Sequence, residues 1–190
     1  MGKKELSELT PEELGRLFPI MISPYNYNWP ILFNKEKIIL ENILGPKLAL
    51  RIEHFGSTAV PGLSAKPTID ILVITPEKDI DKDSVIEIMT AHGYIKMHEV
   101  TDHIMFVKGY TINGIKGQAY HIHMGPSNDY NLSDRIYFRD FLRVNKDVAK
   151  KYEELKKELA SEFKYDREGY TNSKTDFIKK TTDIAKKELM

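Results

Sequence analysis

The fold is decided by one stretch of the sequence, HFGSTAVPGLSAKPTIDILV, which covers residues 54–73. The stretch begins at the end of a predicted strand, residues 49–55, and continues into a turn of small residues at Gly56 and Ser57. It ends in a second predicted strand, residues 68–74, which is almost wholly apolar. An apolar strand of this length is typical of the centre of a sheet that is covered on both faces. The stretch therefore predicts two strands joined by a loop that starts with a Gly-Ser turn.

Asp70 is the one charged residue in the apolar strand. A buried, ionised carboxylate is stable only when it is paired with a cation. Two interpretations are open: an ion pair with Lys66 or an arginine, and a metal-binding or catalytic role. Upstream, Gly56 and Ser57 can present backbone N–H groups and a hydroxyl to a phosphate, because glycine lets the main chain approach closely. A plain tight turn is the alternative for this pair.

Hydrophobic periodicity predicts the remaining elements of the chain. The predicted helices are one that starts at a Thr10 cap, residues 30–44 stopped by Gly45-Pro46, residues 84–92, an apolar stripe that begins behind a Ser133-Asp134 cap and runs to Phe163, and residues 173–189. The further predicted strands are residues 94–98, 103–110 and 116–124, the last two joined as a hairpin around Asn113-Gly114. This order predicts one α+β domain, with a mixed β-sheet flanked by helices and with C-terminal helices.

The composition restricts the class of protein. The 28 basic residues balance the 28 acidic ones, and no aromatic-basic cluster stands out, so nucleic acid is not expected as a partner. The chain has no cysteine, which excludes a disulfide framework and a thiolate zinc site. No apolar run approaches the roughly 20 residues that cross a bilayer, so no membrane role is expected. The start of the sequence lacks the apolar stretch of a signal peptide, and a cytoplasmic protein is therefore predicted.

The same twenty residues, 54–73, resemble the defining motif of the GrpB family. The resemblance extends to Tyr25, Trp29 and Phe33 upstream, and downstream to His121-Ile122-His123, the segment 138–143, Tyr152 with Leu155-Lys156, and Tyr170 with Lys174. It divides the chain into an N-terminal extension, residues 1–20, and a GrpB-like domain, residues 21–190. Members of that family are placed in the nucleotidyltransferase superfamily, so the resemblance implies a nucleotidyltransferase-type fold.

The resemblance also implies roles for individual residues. It places Gly56, Ser57 and Thr58 at the phosphates of a nucleotide, and Asp70 at Mg²⁺, with Asp70 and Lys66 in the catalytic machinery. Ordinary members of the superfamily hold two metal ions with two carboxylates one residue apart, since such residues point to the same face of a strand. This chain has Leu72 at the second position, which departs from the two-metal pattern.

His121 and His123 lie two residues apart on a predicted strand, so their side chains share a face. If that strand neighbours the strand of Asp70, the three residues make a divalent metal site whose nitrogen ligands favour Mn²⁺ or Zn²⁺ over Mg²⁺. The alternative is a pair of hydrogen-bonded histidines that braces the sheet or binds a phosphate.

Several basic residues are candidates to bind phosphate or carboxylate groups: Lys66, Arg135, Arg139, Arg143, Lys156 and Lys174. Arg139 and Arg143 are four residues apart on one predicted helix face and can act together on a nucleotide. Ion pairs with acids such as Glu53 or Asp140 are the alternative for these two arginines.

Two hypotheses from different classes follow for the function. The first is a metal-dependent nucleotidyltransferase that acts from a nucleoside triphosphate on an unknown small acceptor. The second is a non-catalytic module of the same fold that binds a nucleotide or another phosphorylated small molecule. Family members occur fused to dephospho-coenzyme A kinase, so the resemblance makes a coenzyme A precursor one such ligand. The sequence leaves the acceptor, the base and the oligomeric state open.

Overall fold

The computed structural model describes residues 5–77, 81–100, 103–128 and 130–189. The strands are β1 (Arg51–Phe55), β2 (Thr68–Thr75), β3 (Ile95–Val100), β4 (His103–Thr111) and β5 (Gly114–Pro126). The α-helices are α1 (Pro11–Leu17), α2 (Trp29–Leu48), α3 (Lys82–Ala91), α4 (Tyr130–Val144), α5 (Lys146–Glu162), α6 (Arg167–Asn172) and α7 (Thr175–Leu189). Two short 3-10 turns cover Leu6–Glu8 and Ser57–Ala59. The predicted α+β class is confirmed.

The five strands form one mixed sheet in the order β1-β2-β5-β4-β3. β2 pairs with β1 in antiparallel fashion and with β5 in parallel, while β4 is antiparallel to both β5 and β3. β2 is thus an inner strand, and Ile69, Ile71, Leu72 and Val73 have no exposed surface. This confirms the central strand that the apolar stretch predicted.

Alternation along the strands sorts the side chains onto two faces of the sheet. The largest core cluster joins one face to α2 and α3, and it includes Leu40, Ile71, Met89, Phe106 and Ile122. The opposite face carries the polar side chains of β2 and β5, together with a small apolar cluster of Phe55, Leu72 and Leu132. The register of β2 and β5 places Asp70 on this second face. One face of the sheet therefore packs into the core, and the other carries the polar groups.

The N-terminal segment packs on the sheet beside those polar groups. Leu6 and Phe18 form a buried cluster with Val107 and Tyr110 of β4, and the Phe18 and Tyr110 rings meet edge to face at 4.9 Å. The predicted Thr10 cap is confirmed: its hydroxyl accepts a hydrogen bond from the N–H of Glu13 at 3.2 Å. No helix within the part of the chain that the structure describes is both long and apolar enough to cross a membrane.

One prediction about helices is confirmed and one needs correction. The helix predicted to stop at Gly45-Pro46 does stop there, because Gly45 has a non-helical backbone with a φ of 67°, and a second helical turn after the kink carries α2 to Leu48. The stripe predicted as one long helix is divided at Asn145 into α4 and α5, and α4 begins before the predicted Ser133-Asp134 cap. Phe138 of α4 and Tyr152 of α5 share one apolar cluster, so the spacing of apolar residues did not reveal the break.

Candidate functional site

Gly56 directly follows β1 and lies against Asp70. Phe55 pairs with Asp70 across the two strands, so the chain after Phe55 turns over the aspartate. Gly56 has a φ of 71°, and a Cβ at this position would lie 2.3 Å from Asp70 Oδ2. The sequence assigned the glycine to a phosphate, but the aspartate itself already requires a residue without a side chain here.

Asp70 belongs to a chain of hydrogen bonds that crosses three strands. His121 Nδ1 lies 3.2 Å from Asp70 Oδ1, and His121 Nε2 lies 2.9 Å from the hydroxyl of Tyr110. The Tyr110 hydroxyl also lies 3.4 Å from the hydroxyl of Thr68. Burial opposes ionisation of Asp70, but the hydrogen bond from His121 and the charges of nearby basic groups outweigh it and hold the pKa below its usual 3.8. Asp70 is therefore a carboxylate that accepts the Nδ1 proton of His121.

The imidazole of His121 is neutral at neutral pH. Burial lowers its pKa, and the hydrogen bond to Asp70 only partly offsets this effect. A neutral ring that donates from Nδ1 must accept at Nε2, so Tyr110 is the donor in the second hydrogen bond. Both ring nitrogens of His121 are thus engaged within the protein.

His123 lies on the same face as Asp70, as the sequence predicted, because it pairs with Leu72 in the parallel register. Its Nδ1 bonds with Nε2 of His103 at 3.0 Å, and the two rings stack 5.1 Å apart. Burial holds the pKa of His123 well below its ordinary value, and the charge of Arg135 lowers it further. His123 thus bonds with His103. This agrees with the alternative for His121 and His123, in which hydrogen-bonded histidines brace the sheet.

The donor set does not fit the predicted metal site. Within residues 5–77, 81–100, 103–128 and 130–189, no three His, Asp or Glu side chains come together as a group that could hold an ion. Asp70, His121 and His123 share a face without forming such a group: His121 Nδ1 bonds with Asp70 itself, and His121 Nε2 bonds with the Tyr110 hydroxyl. Leu72 takes the position of a second acid and is fully buried. The arrangement for two-metal chemistry is therefore not present among these residues.

Three lysines gather around two buried tyrosines next to Asp70. The Nζ atoms of Lys174 and Lys66 lie 3.7 and 5.4 Å from the ring centroid of Tyr170. Lys156 Nζ lies 5.0 Å from the ring centroid of Tyr152 and donates to the carbonyl of Ser64. We call Lys66, Lys156 and Lys174 the lysine cluster. Such cation–π contacts stabilise an ammonium group without neutralising it.

The lysine cluster carries little compensating negative charge. In the described parts of the chain, none of its three ammonium groups forms an ion pair with a carboxylate. Burial lowers the pKa of Lys66 to about 8, with a further contribution from Arg167. Burial also lowers the pKa of Lys156 and of Lys174 to about 7, and the lysines lower one another. The cluster is therefore a candidate anion-binding site.

The hydroxyls after Gly56 have different surroundings. Ser57 lies close enough to the Tyr152 hydroxyl to lower its pKa, which connects the turn to the lysine cluster. Thr58 is 1% exposed, and its hydroxyl bonds with His54 Nε2 at 3.0 Å. The prediction of Thr58 as a nucleotide ligand is thus not supported for its side chain, which is turned into the protein core.

Arg139 and Arg143 are bonded to the protein itself. Arg139 is 5% exposed and donates to Glu53 at 2.6 Å, to the carbonyl of His54 at 2.7 Å and to Asp140 at 2.8 Å. Arg143 donates to the carbonyl of Ala59 at 3.0 Å and to Asp140 at 3.3 Å. The structure shows the ion-pair alternative for both residues: Arg139 pairs with Glu53 and Asp140, and Arg143 pairs with Asp140. Nucleotide binding by these two residues stays a prediction.

Some residues of the site were not identified from the sequence as its members. Tyr110 and Arg167 are the main examples: the first bonds with His121, and the second lies close enough to lower the pKa of Lys66. Arg167 also donates to the carbonyl of Phe18 at 2.8 Å, which links α6 to the N-terminal segment. No local pattern distinguishes these two residues from surface tyrosines and arginines.

Comparisons with known proteins agree with this architecture. The family model described as GrpB protein matches residues 19–183. Glutamate-rich protein GrpB of Alkalihalophilus pseudofirmus is 35% identical over 161 residues, which cover 84% of this chain and 91% of that protein. UPF0157 protein YqkA of Bacillus subtilis is 34% identical over 174 residues, which cover 86% of this chain and 46% of that protein, so the chain spans about half of that relative. The crystal structure of conserved protein GrpB from Enterococcus faecalis is 32% identical with a TM-score of 0.76, and the match covers 89% of this chain and 99% of that one. The chain therefore belongs to the GrpB family.

Proposed function

We propose that this protein is a binding module for a nucleotide or another phosphorylated small molecule. The ligand lies against Gly56, Ser57, Lys66, Asp70 and Lys174, which we call the Asp70 site. The observation that carries the proposal is the lysine cluster, whose three buried or half-buried amines have no carboxylate partner among the described residues. Uncompensated amines in a partly desolvated place favour an anion, because the interaction between charges is strong where water is scarce.

The polar groups around Asp70 suit binding better than metal-dependent transfer. A nucleotidyltransferase of the ordinary kind needs two carboxylates on one strand face, and Leu72 occupies the second position. The cations that face Asp70 are basic side chains of the chain, among them Lys66, Lys174 and Arg135, which can neutralise a phosphate directly. Lys66 and Lys174 are thus placed as phosphate donors, with Ser57 beside them through Tyr152.

A second candidate is nucleotidyl transfer, the reaction that the family resemblance implies. The observation in its favour is that Asp70 is held ionised while its side chain remains 26% exposed, so an ionised group is accessible to a ligand. In that reaction the hydroxyl oxygen of an acceptor bonds to the α-phosphorus, the bond to the β-phosphate oxygen breaks, and pyrophosphate leaves. Asp70 would accept the acceptor's proton, and Lys66 would neutralise the charge that develops on the phosphates.

Binding is tested by thermal shift and calorimetry with nucleoside mono-, di- and triphosphates and with coenzyme A precursors, each with EDTA, Mg²⁺, Mn²⁺ or Zn²⁺. Lys174→Gln should weaken binding of a stabilising ligand at least tenfold, because it removes an ammonium group of the site. Lys180→Gln is the matched control, since Lys180 is an exposed lysine of the neighbouring helix α7. Equal losses in both variants, or no binding of any ligand by the wild type, would contradict the proposal.

The two candidates differ in turnover. Any nucleotide that stabilises the protein is incubated with it and with a mixture of small hydroxyl and amine acceptors, and release of pyrophosphate is measured. The binding module predicts affinity without release. Release that is lost in Asp70→Asn would favour transfer instead.

A further inference from the structure

The amines of the lysine cluster come from three separate parts of the chain. Lys66 lies in the loop before β2, Lys156 lies in α5, and Lys174 lies between α6 and α7. Resting on the proposed function, we propose that the cluster, together with Arg167, binds a chain of two or more phosphoryl groups and takes up protons as the ligand binds. The inference concerns both the class of ligand and its dependence on pH.

The geometry leaves the amine protons of Lys66 and Lys174 available to a ligand, because both residues are only half-buried, whereas Lys156 is 2% exposed. Lys66 and Lys174 contact the face of the Tyr170 ring, which is 1% exposed and offers no anionic oxygen at neutral pH. Lys156 uses one of its three N–H donors on the carbonyl of Ser64. Phosphate oxygens are the acceptors that several converging N–H donors suit.

The charged groups that face the cluster are two basic residues, Arg167 and Lys157, and two acidic residues, Asp70 and Glu153. From α6, Arg167 faces Lys66, and from β2, Asp70 faces both Lys66 and Lys174. From α5, Glu153 faces Lys156, but Glu153 also accepts from Lys157 and from the N–H of Ser64. The remaining titratable neighbours are the Tyr152 and Tyr170 hydroxyls, whose pKa values are raised by burial, so both stay neutral.

This balance indicates the ligand class. When the three lysines and Arg167 are all charged, Asp70 balances only one of them, and a net positive charge of about three is left to a ligand. Orthophosphate at neutral pH carries too little charge to balance it, whereas pyrophosphate or the phosphate chain of a nucleoside diphosphate or triphosphate carries enough. The cluster therefore favours a phosphate chain over a single phosphate.

The same balance explains the proton uptake. Without a ligand, the lysine cluster is partly deprotonated at pH 8, because the pKa is about 8 for Lys66 and about 7 for Lys156 and Lys174. A bound polyanion favours the ammonium forms and raises these pKa values, so protons enter with the ligand. With all three lysines charged in the complex, about two protons are taken up at pH 8, and affinity falls about 100-fold per pH unit near this pH.

The experiment is calorimetry of the full chain with pyrophosphate and with orthophosphate, in EDTA at pH 8, in two buffers of different ionisation enthalpy. We expect pyrophosphate to bind at least tenfold more tightly than orthophosphate, and the two buffers to report an uptake of about two protons. Lys174→Arg tests the source of the protons, because arginine stays charged. This variant should keep the affinity within about tenfold and lose about one proton of uptake, while Lys180→Gln changes neither.

Each part of the inference can fail separately. Pyrophosphate binding with equal heats in both buffers would overturn the proton uptake and leave the proposed function intact. Orthophosphate binding as tight as pyrophosphate binding would overturn the phosphate-chain class. An uptake in Lys174→Arg equal to that of the wild type would also contradict the assignment to this lysine. If neither phosphate nor any nucleotide binds, the proposed function fails with it.

Discussion

Replacing Gly56 by alanine should displace the carboxylate of Asp70. The new Cβ would lie 2.3 Å from Asp70 Oδ2, against roughly 3.4 Å for an ordinary van der Waals contact, so the oxygen has to move by about 1 Å. That movement lengthens the 3.2 Å hydrogen bond between Asp70 and His121 past the range of a useful bond. Overpacking of this kind costs about 1–3 kcal/mol. The backbone of Gly56, with a φ of 71° and a ψ of −174°, adds about 1–3 kcal/mol for a residue with a side chain, because essentially only glycine adopts this region.

Gly62 provides a matched control within the same loop. Its φ is 83°, but a Cβ at this position has no neighbour within 4 Å. Gly62→Ala therefore reports only the conformational cost of a left-handed residue, about 1–2 kcal/mol. Gly56, with a ψ of −174°, lies in a backbone region that essentially only glycine adopts, so the difference between the two variants combines a backbone cost with the contact to Asp70. We expect Gly56→Ala to be less stable than Gly62→Ala by at least about 1–3 kcal/mol, and the Asp70→Ala background separates the two contributions.

The assay is urea unfolding followed by circular dichroism, for the two single variants and for both substitutions in an Asp70→Ala background. In that background the carboxylate is absent, so the extra cost of Gly56→Ala should shrink toward that of Gly62→Ala. Equal free energies of unfolding for Gly56→Ala and Gly62→Ala in the wild-type background would refute the packing argument. Gly56 would then serve a ligand and not the aspartate.

Three further outcomes are expected. Burial of the ring lowers the pKa of His54 to about 4, whereas the unfolded chain accepts a proton near pH 6.5. The free energy of unfolding that this group contributes is therefore fully present above pH 6.5 and falls by about 3 kcal/mol as the pH drops to 4. Urea unfolding measured against pH should lose most of this contribution in His54→Asn. Arg139→Ala should lower the free energy of unfolding by about 3 kcal/mol, because it leaves the partly buried Glu53 without its cation. An unchanged free energy of unfolding together with a loss of nucleotide affinity would favour a ligand role for Arg139 instead. Asp70→Asn should remain folded, because the amide oxygen can still accept from His121, and should lose any ligand binding that depends on a divalent metal; loss of the folded circular dichroism spectrum would show that Asp70 is structural.

Local patterns predicted the elements of this fold well where one interaction dominates. The apolar run of β2 predicted a central strand, because a strand that is covered on both faces is apolar at almost every position. The Thr10 cap was also predictable, since its partner Glu13 is only three residues away. Periodicity failed at Asn145, where two helices that pack on one cluster continue the same spacing across a break.

For the site, the shared face of Asp70, His121 and His123 followed from the two-residue period of strands, once β2 and β5 are neighbours. The partners of each side chain did not follow. His121 bonds with Tyr110, whose strand bends at a bulge near Gly109, and His123 bonds with His103 from β4. The two-residue period of a strand predicts on which face of the sheet a side chain lies, but it does not predict which side chains of neighbouring strands contact it.

The sequence by itself therefore determined the α+β class, the inner strand with its lone acid and the family to which the chain belongs, because these depend on composition, spacing and a contiguous motif. The tertiary structure alone decided that Gly56 is required by Asp70 and that Arg139 is held by Glu53. It also brought Lys66, Lys156 and Lys174 together from three distant segments. Contacts between residues far apart in the chain, and the pKa shifts that burial produces in them, depend on how the elements pack, and no local pattern of residues encodes that packing.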